Sequence, residues 1–293
     1  MASVFDFIRS AVIILGIGFN AQQNRKTWMW GDSVMMAAYS LSLFLFPMLL
    51  FPGTSSTMLA FLTRVFASLL MGLASFLYLS RKTRDENVVG VNLWTRLMSS
   101  MFVVILMVYT YFHNPGEIQE KTVYFDLSAF MLLLVASVYQ FWRGGYRVGG
   151  REQKGHVSTV LRIIFLMDFS FGILHLAFPS WVIPSQKLNP LETLMMREIG
   201  ALVLGLCLIS LFATTFHYDE DRGNFFFSNI VSSGMMLLCL NYAYFKDGLF
   251  DHMETLRLHL AFVPSFLAML GLYLHWRHAQ GNQSEYNLRS KSK

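Results

Sequence analysis

The sequence predicts an all-α integral membrane helical bundle, with eight transmembrane helices arranged as two parallel four-helix repeats and an N-terminal amphipathic helix. Three observations carry this expectation. Apolar side chains make up 54% of the 293 residues and charged ones only 14%, against about 25% charged in a soluble domain. Eight stretches are long and apolar enough to cross about 30 Å of hydrocarbon, which takes about 20 residues as a helix. The chain also matches itself at a shift of 132–134 residues. A single soluble core of this size could not bury so much apolar surface. With 27 Phe and 2 Cys, neither disorder nor a disulfide scaffold fits. A net charge of +5 is too small a bias to suggest a nucleic-acid partner.

Residues 1–30 form the first segment. Ala11 to Phe19 is apolar but too short to cross, and Asp6 and Arg9 interrupt its approach. Phe5, Ile8, Val12, Leu15 and Phe19 fall on one helical stripe. An interfacial amphipathic helix is the first reading. A ninth span and a cleaved signal peptide are the alternatives, although cleavage before Gln22 would put Phe19 where a small residue is wanted.

The spans follow at 31–51, 57–80, 89–113, 121–142, 158–181, 191–216, 223–246 and 254–276. Helices are expected because hydrocarbon offers no partner for a free peptide group. Phe51-Pro52-Gly53, Asn114-Pro115-Gly116 and the charged run Asp219 to Gly223 mark ends. Fourteen Lys and Arg fall in the loops of one side and at most four on the other. By the positive-inside rule both termini face the cytosol.

The repeat runs in order along both halves. Phe46-Pro47 and Phe51-Pro52 match Phe178-Pro179 and Ile183-Pro184 at 132. At 133, Arg64 meets Arg197, Gly72 meets Gly205, Gly90 meets Gly223, Ser99-Ser100 meets Ser232-Ser233 and Tyr109 meets Tyr242. The last helices match at 134, Tyr139 and Trp142-Arg143 with Tyr273 and Trp276-Arg277. The organisation is therefore repeat one at 31–143, a cytosolic Gly/Arg linker at 144–157, repeat two at 158–277 and a basic tail at 278–293. An even number of spans per unit puts both copies in one orientation, related by an axis along the membrane normal. The linker is expected to be a flexible tether. An alternative role is binding acidic headgroups.

A Phe-Pro pair closing the first helix, then an Arg and a Gly inside the second, resembles the small four-span membrane proteins of unassigned function, some reported as tumour-suppressor-inducible. The resemblance covers each half once, at 31–143 and 158–277, and implies an architecture without an activity.

Ionisable groups inside spans cost about 2.5–3.5 kcal/mol at the centre, so each needs a reason. Arg64 and Arg197 head the candidate ligand-binding residues. They would either snorkel and pair with freed carbonyls, or form a symmetric pair for an anionic headgroup or solute. Asp168, with His175 seven residues on and on the same face, is expected to partner Arg162 or another helix, with proton relay as the alternative. Glu198 could neutralise a buried cation. Asp126, Arg96 and Arg257 are expected at the interface. His275 and His278 read as interfacial anchors, with no metal and no cofactor expected. Cys207 and Cys239 read as small apolar groups.

No familiar catalytic signature is present. The expected function is a non-enzymatic bundle that binds or moves a small anionic or amphipathic ligand between its repeats. The alternatives are an endoplasmic reticulum adaptor or assembly factor with membrane-protein partners and, distantly, a lipid-modifying enzyme. The expected partners are membrane lipids, with no nucleic acid. The end of the chain, Arg289-Ser290-Lys291-Ser292-Lys293, resembles a cytosolic dibasic retrieval signal, and Asn282 begins a sequon that a cytosolic tail would leave unglycosylated.

Overall fold

The computed structural model describes residues 4–49, 56–113, 120–153, 155–184 and 186–291. The turns at 51–53 and 114–116, and the side chains of Phe5, Ile8, Lys121, Asn282, Arg289 and Lys291, lie outside what it describes. Among the described residues the protein is all-helical, without strands.

Helix α1 is Val4–Ala21, α2 Arg25–Leu45, α3 Thr57–Ser80, α4 Glu86–His113 and α5 Glu120–Gly144. After the linker come α6 His156–Ala177, the single turn α7 Pro179–Val182, α8 Pro190–Phe212, α9 Asp219–Phe245 and α10 His252–Lys291. Seven of these are long and apolar enough to cross a membrane: α3, α4, Asp126–Gly144 of α5, α6, α8, α9 and His252–Gln280 of α10. The protein is thus built for a membrane. The stretch expected at 31–51 starts earlier, as α2 at Arg25. Arg25, Lys26 and Asp32 make it less apolar than those seven.

Local chemistry sets the helix starts. Ser56 caps α3 by accepting from the Leu59 N–H at 3.1 Å. Asn189 caps α8 in a reciprocal capping box with Glu192, at 2.9 Å in each direction, and Pro190 follows at the first helical position. Such a cap contributes about 1 kcal/mol. The Glu192 carboxylate also accepts from the Ser56 hydroxyl, tying the two helix starts together.

The helices pack in an interleaved order. α2 lies on α3 and α6 on α8; α4 lies on α5 and α9 on α10. Across the middle, α3 packs on α9, α4 on α8, and α3 on α8, whereas α3 and α4 barely touch. Small residues let backbones approach at these crossings, as expected where lipid tails are as apolar as the helices. A Cβ on Gly72 would stand 2.6 Å from Ser232 Cβ and 3.2 Å from the Ser228 carbonyl. One on Gly205 would overlap Ser99 Oγ and lie 2.7 Å from the Thr95 carbonyl. Gly200 approaches the α6 backbone in the same way, with a Cβ there 2.8 Å from the Gly172 carbonyl.

The expected interfacial helix α1 docks on α5 and α2. Its Ile17 and Ala21 are buried with Ala136, and Ile13, Leu132 and Leu133 pack around them. Val12, Leu15 and Phe19, from the stripe read in the sequence, are 65–71% exposed and point away from the bundle.

The linker is tied down rather than loose. The Gly149 N–H donates to Asn87 Oδ1 at 2.8 Å and the Gln153 N–H to the Thr214 carbonyl at 3.0 Å. Tyr146 and Val148 pack against the core. Gly90 leaves room for the crossing, since a Cβ there would be 2.9 Å from the Arg147 carbonyl.

Candidate functional site

Ser228, Asn229, Ser232 and Ser233 put four small polar side chains on one face of α9 at helical spacing. That face borders a partly open cavity of about 110 Å³ at mid-length of the bundle, lined by α3, α6, α8, α9 and α10. Its walls are apolar, from Val65 to Phe76 on α3 and from Ile199 to Ile209 on α8. The eleven residue steps from Val65 to Phe76 correspond to about 16 Å of helix. Asp168 and His175 of α6 complete the lining, so the structure brings these two predicted residues together in one cavity.

Within the cavity the polar groups are placed with few partners. Asp168 Oδ2 accepts from the Ser210 hydroxyl at a long 3.5 Å. The imidazole of His175 is 7% exposed and its Nδ1 lies 2.8 Å from the Phe171 carbonyl. None of the described lining residues is Lys or Arg. Arg162, expected to partner Asp168, instead pairs with Glu152. α6 and α10 do not form a packed pair, and Phe171 reaches Phe262 across the gap with ring centroids 6.2 Å apart. Met167, on the same wall, is 39% exposed.

The two arginines are not brought together. Arg64 lies in an open hollow with Thr57 and Ala60 of α3, where its Nη1 is 3.7 Å from Asp247 Oδ2. Its Nε donates to the Phe44 carbonyl at 3.3 Å, and its guanidinium sits 4.6 Å from the Tyr242 ring centre. Arg197 occupies a separate hollow with Tyr109, His113, Pro190 and Thr193. Its guanidinium is 5.8 Å from the Tyr109 ring, and its buried Nε has no hydrogen-bond partner among the described residues. Glu198 is buried on α8, within electrostatic reach of Asp126.

Arg96 corrects the expectation of an interfacial position. It is 2% exposed and donates to Asp32, itself 3% exposed, across α2 and α4. Asn20 of α1 donates to the other Asp32 oxygen at 2.5 Å and to the Trp28 carbonyl at 2.9 Å, and the Trp28 ring covers the guanidinium at 5.3 Å. A charge buried this deeply is tolerated because it is both paired and hydrogen-bonded. Arg257 is exposed, and both cysteines are free and buried.

Sequence reasoning missed Asp32, Asn20 and the α9 polar face. Asp32 sat inside a proposed span and was the visible signal. The α9 signal was a run of uncharged polar residues, which carries less weight than a charge. Among the described residues no group of three or more His, Cys, Asp or Glu could hold a metal ion.

No curated protein and no solved structure matches the chain. A family model does, over residues 30–273, from α2 through α10 and across both halves as one unit. The chain therefore belongs to the family described as a domain of unknown function, DUF8292.

Proposed function

We propose that this membrane protein is a non-enzymatic bundle that binds or moves a small amphipathic ligand in the cavity beside Asp168. The observation that carries the reading is a polar-floored, apolar-walled cavity at mid-depth, bordered by α3 of the first half and by four helices of the second. A few convergent polar groups in an otherwise apolar hollow are the ordinary character of a small-molecule site. A dry, tightly packed bundle would favour an adaptor.

The architecture we propose is a duplicated four-span unit with eight crossings and both termini cytosolic, α2 being the first crossing. The matched crossings support it. Gly72 meets Ser228 and Ser232 where Gly205 meets Thr95 and Ser99, each residue 133 from its counterpart. Arg64 lies over Tyr242 and Arg197 over Tyr109 in the same relation. Loop charges support the orientation, and the Arg289 and Lys291 tail supports an endoplasmic reticulum or related endomembrane location.

The test is native mass spectrometry of the protein released from mild detergent. It should retain a small amphiphile, and Ser265→Phe, which fills the cavity from α10, should lose it without lowering Tm. An identical bound load in both proteins, or none in either, refutes the reading.

A further inference from the structure

The two halves differ in what covers the gap between their first and fourth helices. In the first half α1 fills the gap between α2 and α5. Its Gly16 lies against Met35, its Ile17 and Ala21 against Ala136, and its Asn20 on the Asp32–Arg96 pair. In the second half the counterpart gap is that between α6 and α10. Met35 corresponds to Met167, Leu133 to Leu267 and Arg96 to Asn229, by the shifts of 132, 134 and 133. Met167 and Asn229 line the cavity, and Leu267 is 56% exposed. No helix covers this seat among the described residues.

Charge follows the same pattern. In the first half the carboxylate of Asp32 is neutralised by Arg96. In the second half a carboxylate remains, Asp168, one turn further along its helix. The arginine has become Asn229, and none of the described lining residues is a Lys or Arg. Beside Asp168 are Ser210 and Cys207 of α8, and the other polar groups of the cavity are Ser228, Asn229, Ser232 and Ser233 of α9, Ser265 of α10, and His175 on its own helix. These offer hydroxyl and amide dipoles, and the imidazole is held by the Phe171 carbonyl. A carboxylate in such a place either holds a proton or is met by a cation from outside the chain.

Resting on the proposed cavity function, we propose that the site takes up an amphiphile with a protonated amine head and one apolar chain. The amine sits on Asp168 with Asn229 and the α9 serines as further acceptors. The volume of about 110 Å³ admits the head and the first carbons, being of the order of an engineered cavity that holds benzene. The rest of the chain leaves beside the Phe171–Phe262 contact and lies along Met167 and Leu267, in the seat that α1 holds in the other half.

Binding to the full-length protein in nanodiscs, read with radiolabelled dodecylamine and dodecanol, tests the proposal. Dodecylamine should bind at least tenfold more tightly than dodecanol. Asp168→Asn, which keeps the hydrogen bond to Ser210, should remove that preference and leave dodecanol binding and the ligand-free Tm unchanged. Ser265→Phe should abolish both, with Ala261→Phe on the same wall as a second block should the first not fold. Equal binding of the two probes, blocked by Ser265→Phe and indifferent to Asp168→Asn, overturns the amine assignment but leaves the cavity function standing. Binding untouched by both blocks overturns the cavity function too. A partner protein lost on Asp168→Asn, with neither probe bound, overturns the proposal in favour of an inserted helix.

Discussion

Adding one methyl group at Gly72 should separate α3 from α9. The new Cβ would lie 2.6 Å from Ser232 Cβ and 3.2 Å from the Ser228 carbonyl, whereas carbon atoms rest at about 3.5–4.0 Å. Roughly 1 Å of overlap must be relieved between two packed helices, which costs about 1–3 kcal/mol. Alanine returns up to about 1 kcal/mol of helix propensity, so the net loss for Gly72→Ala is about 0–2 kcal/mol, against a gain at an unhindered helical glycine. Gly205→Ala should cost more, because its Cβ overlaps Ser99 Oγ and stands 2.7 Å from the Thr95 carbonyl, a backbone atom that cannot rotate away. The two sites then separate on rescue. Ser232→Gly removes the worst contact at Gly72 and should restore about 1 kcal/mol as a coupling energy. Ser99→Gly should restore Gly205→Ala only in part, because the Thr95 carbonyl stays. Gly271→Ala is the control, with nothing within 4 Å of its Cβ. The assay is equilibrium unfolding in mixed micelles under rising sodium dodecyl sulfate. Gly72→Ala behaving like Gly271→Ala, or unaltered by Ser232→Gly, would refute the reasoning.

The buried pair makes a second expectation: Arg96→Gln or Asp32→Asn should lower stability by about 3–5 kcal/mol in the same assay, because each strands a buried partner. Wild-type stability in either would mean the pair is solvated. Arg64 is part-exposed and its contact with Asp247 is long, so Arg64→Gln should cost less than about 1 kcal/mol. If the arginines hold anionic headgroups, Arg197→Gln should shed co-purifying anionic phospholipid at unchanged Tm; a double Arg64→Gln, Arg197→Gln protein with its full lipid complement removes that role. Cysteines placed at Lys187 and Asn282 should label from opposite sides of sealed vesicles, and labelling from one side would sink the eight-crossing topology.

Composition and hydropathy were enough to read the all-helical, apolar character and the positions of the long helices. Helix starts were less legible. α2 begins at Arg25 because Asn24 caps it, accepting from the Thr27 N–H at 3.1 Å, and a hydropathy window sees charge there rather than a cap. Asp168 and His175 stood out because charge in a span is costly, and they share the cavity. Arg96 was placed at the rim because its partner, Asp32, lies 64 residues away and its second support, Asn20, on another helix again. Gly72 and Gly205 could be recognised as close-approach residues, but nothing in their own helices says that the neighbours are α9 and α4. Pairing between distant helices is decided by complementary surfaces, and one sequence displays only one surface at a time.

The interleaving has a consequence for how the chain is made. Within the first half, α2 has α3 and α4 has α5, and α1 with the Asp32–Arg96 pair joins the two hairpins, but the sides of α3 and α4 that take α9 and α8 have no neighbour until those helices arrive. Asp219 follows Ser80 by 139 residues, which is about 7–28 s of synthesis at ~5–20 residues per second. Throughout that interval the Gly72 face of α3, with Ser68 and its other small residues, has lipid or an insertion factor for company instead of its native neighbour. The first half therefore emerges from the ribosome joined along α1 and α2 but open along α3 and α4, and the second half completes the bundle by packing its own helices against those open faces.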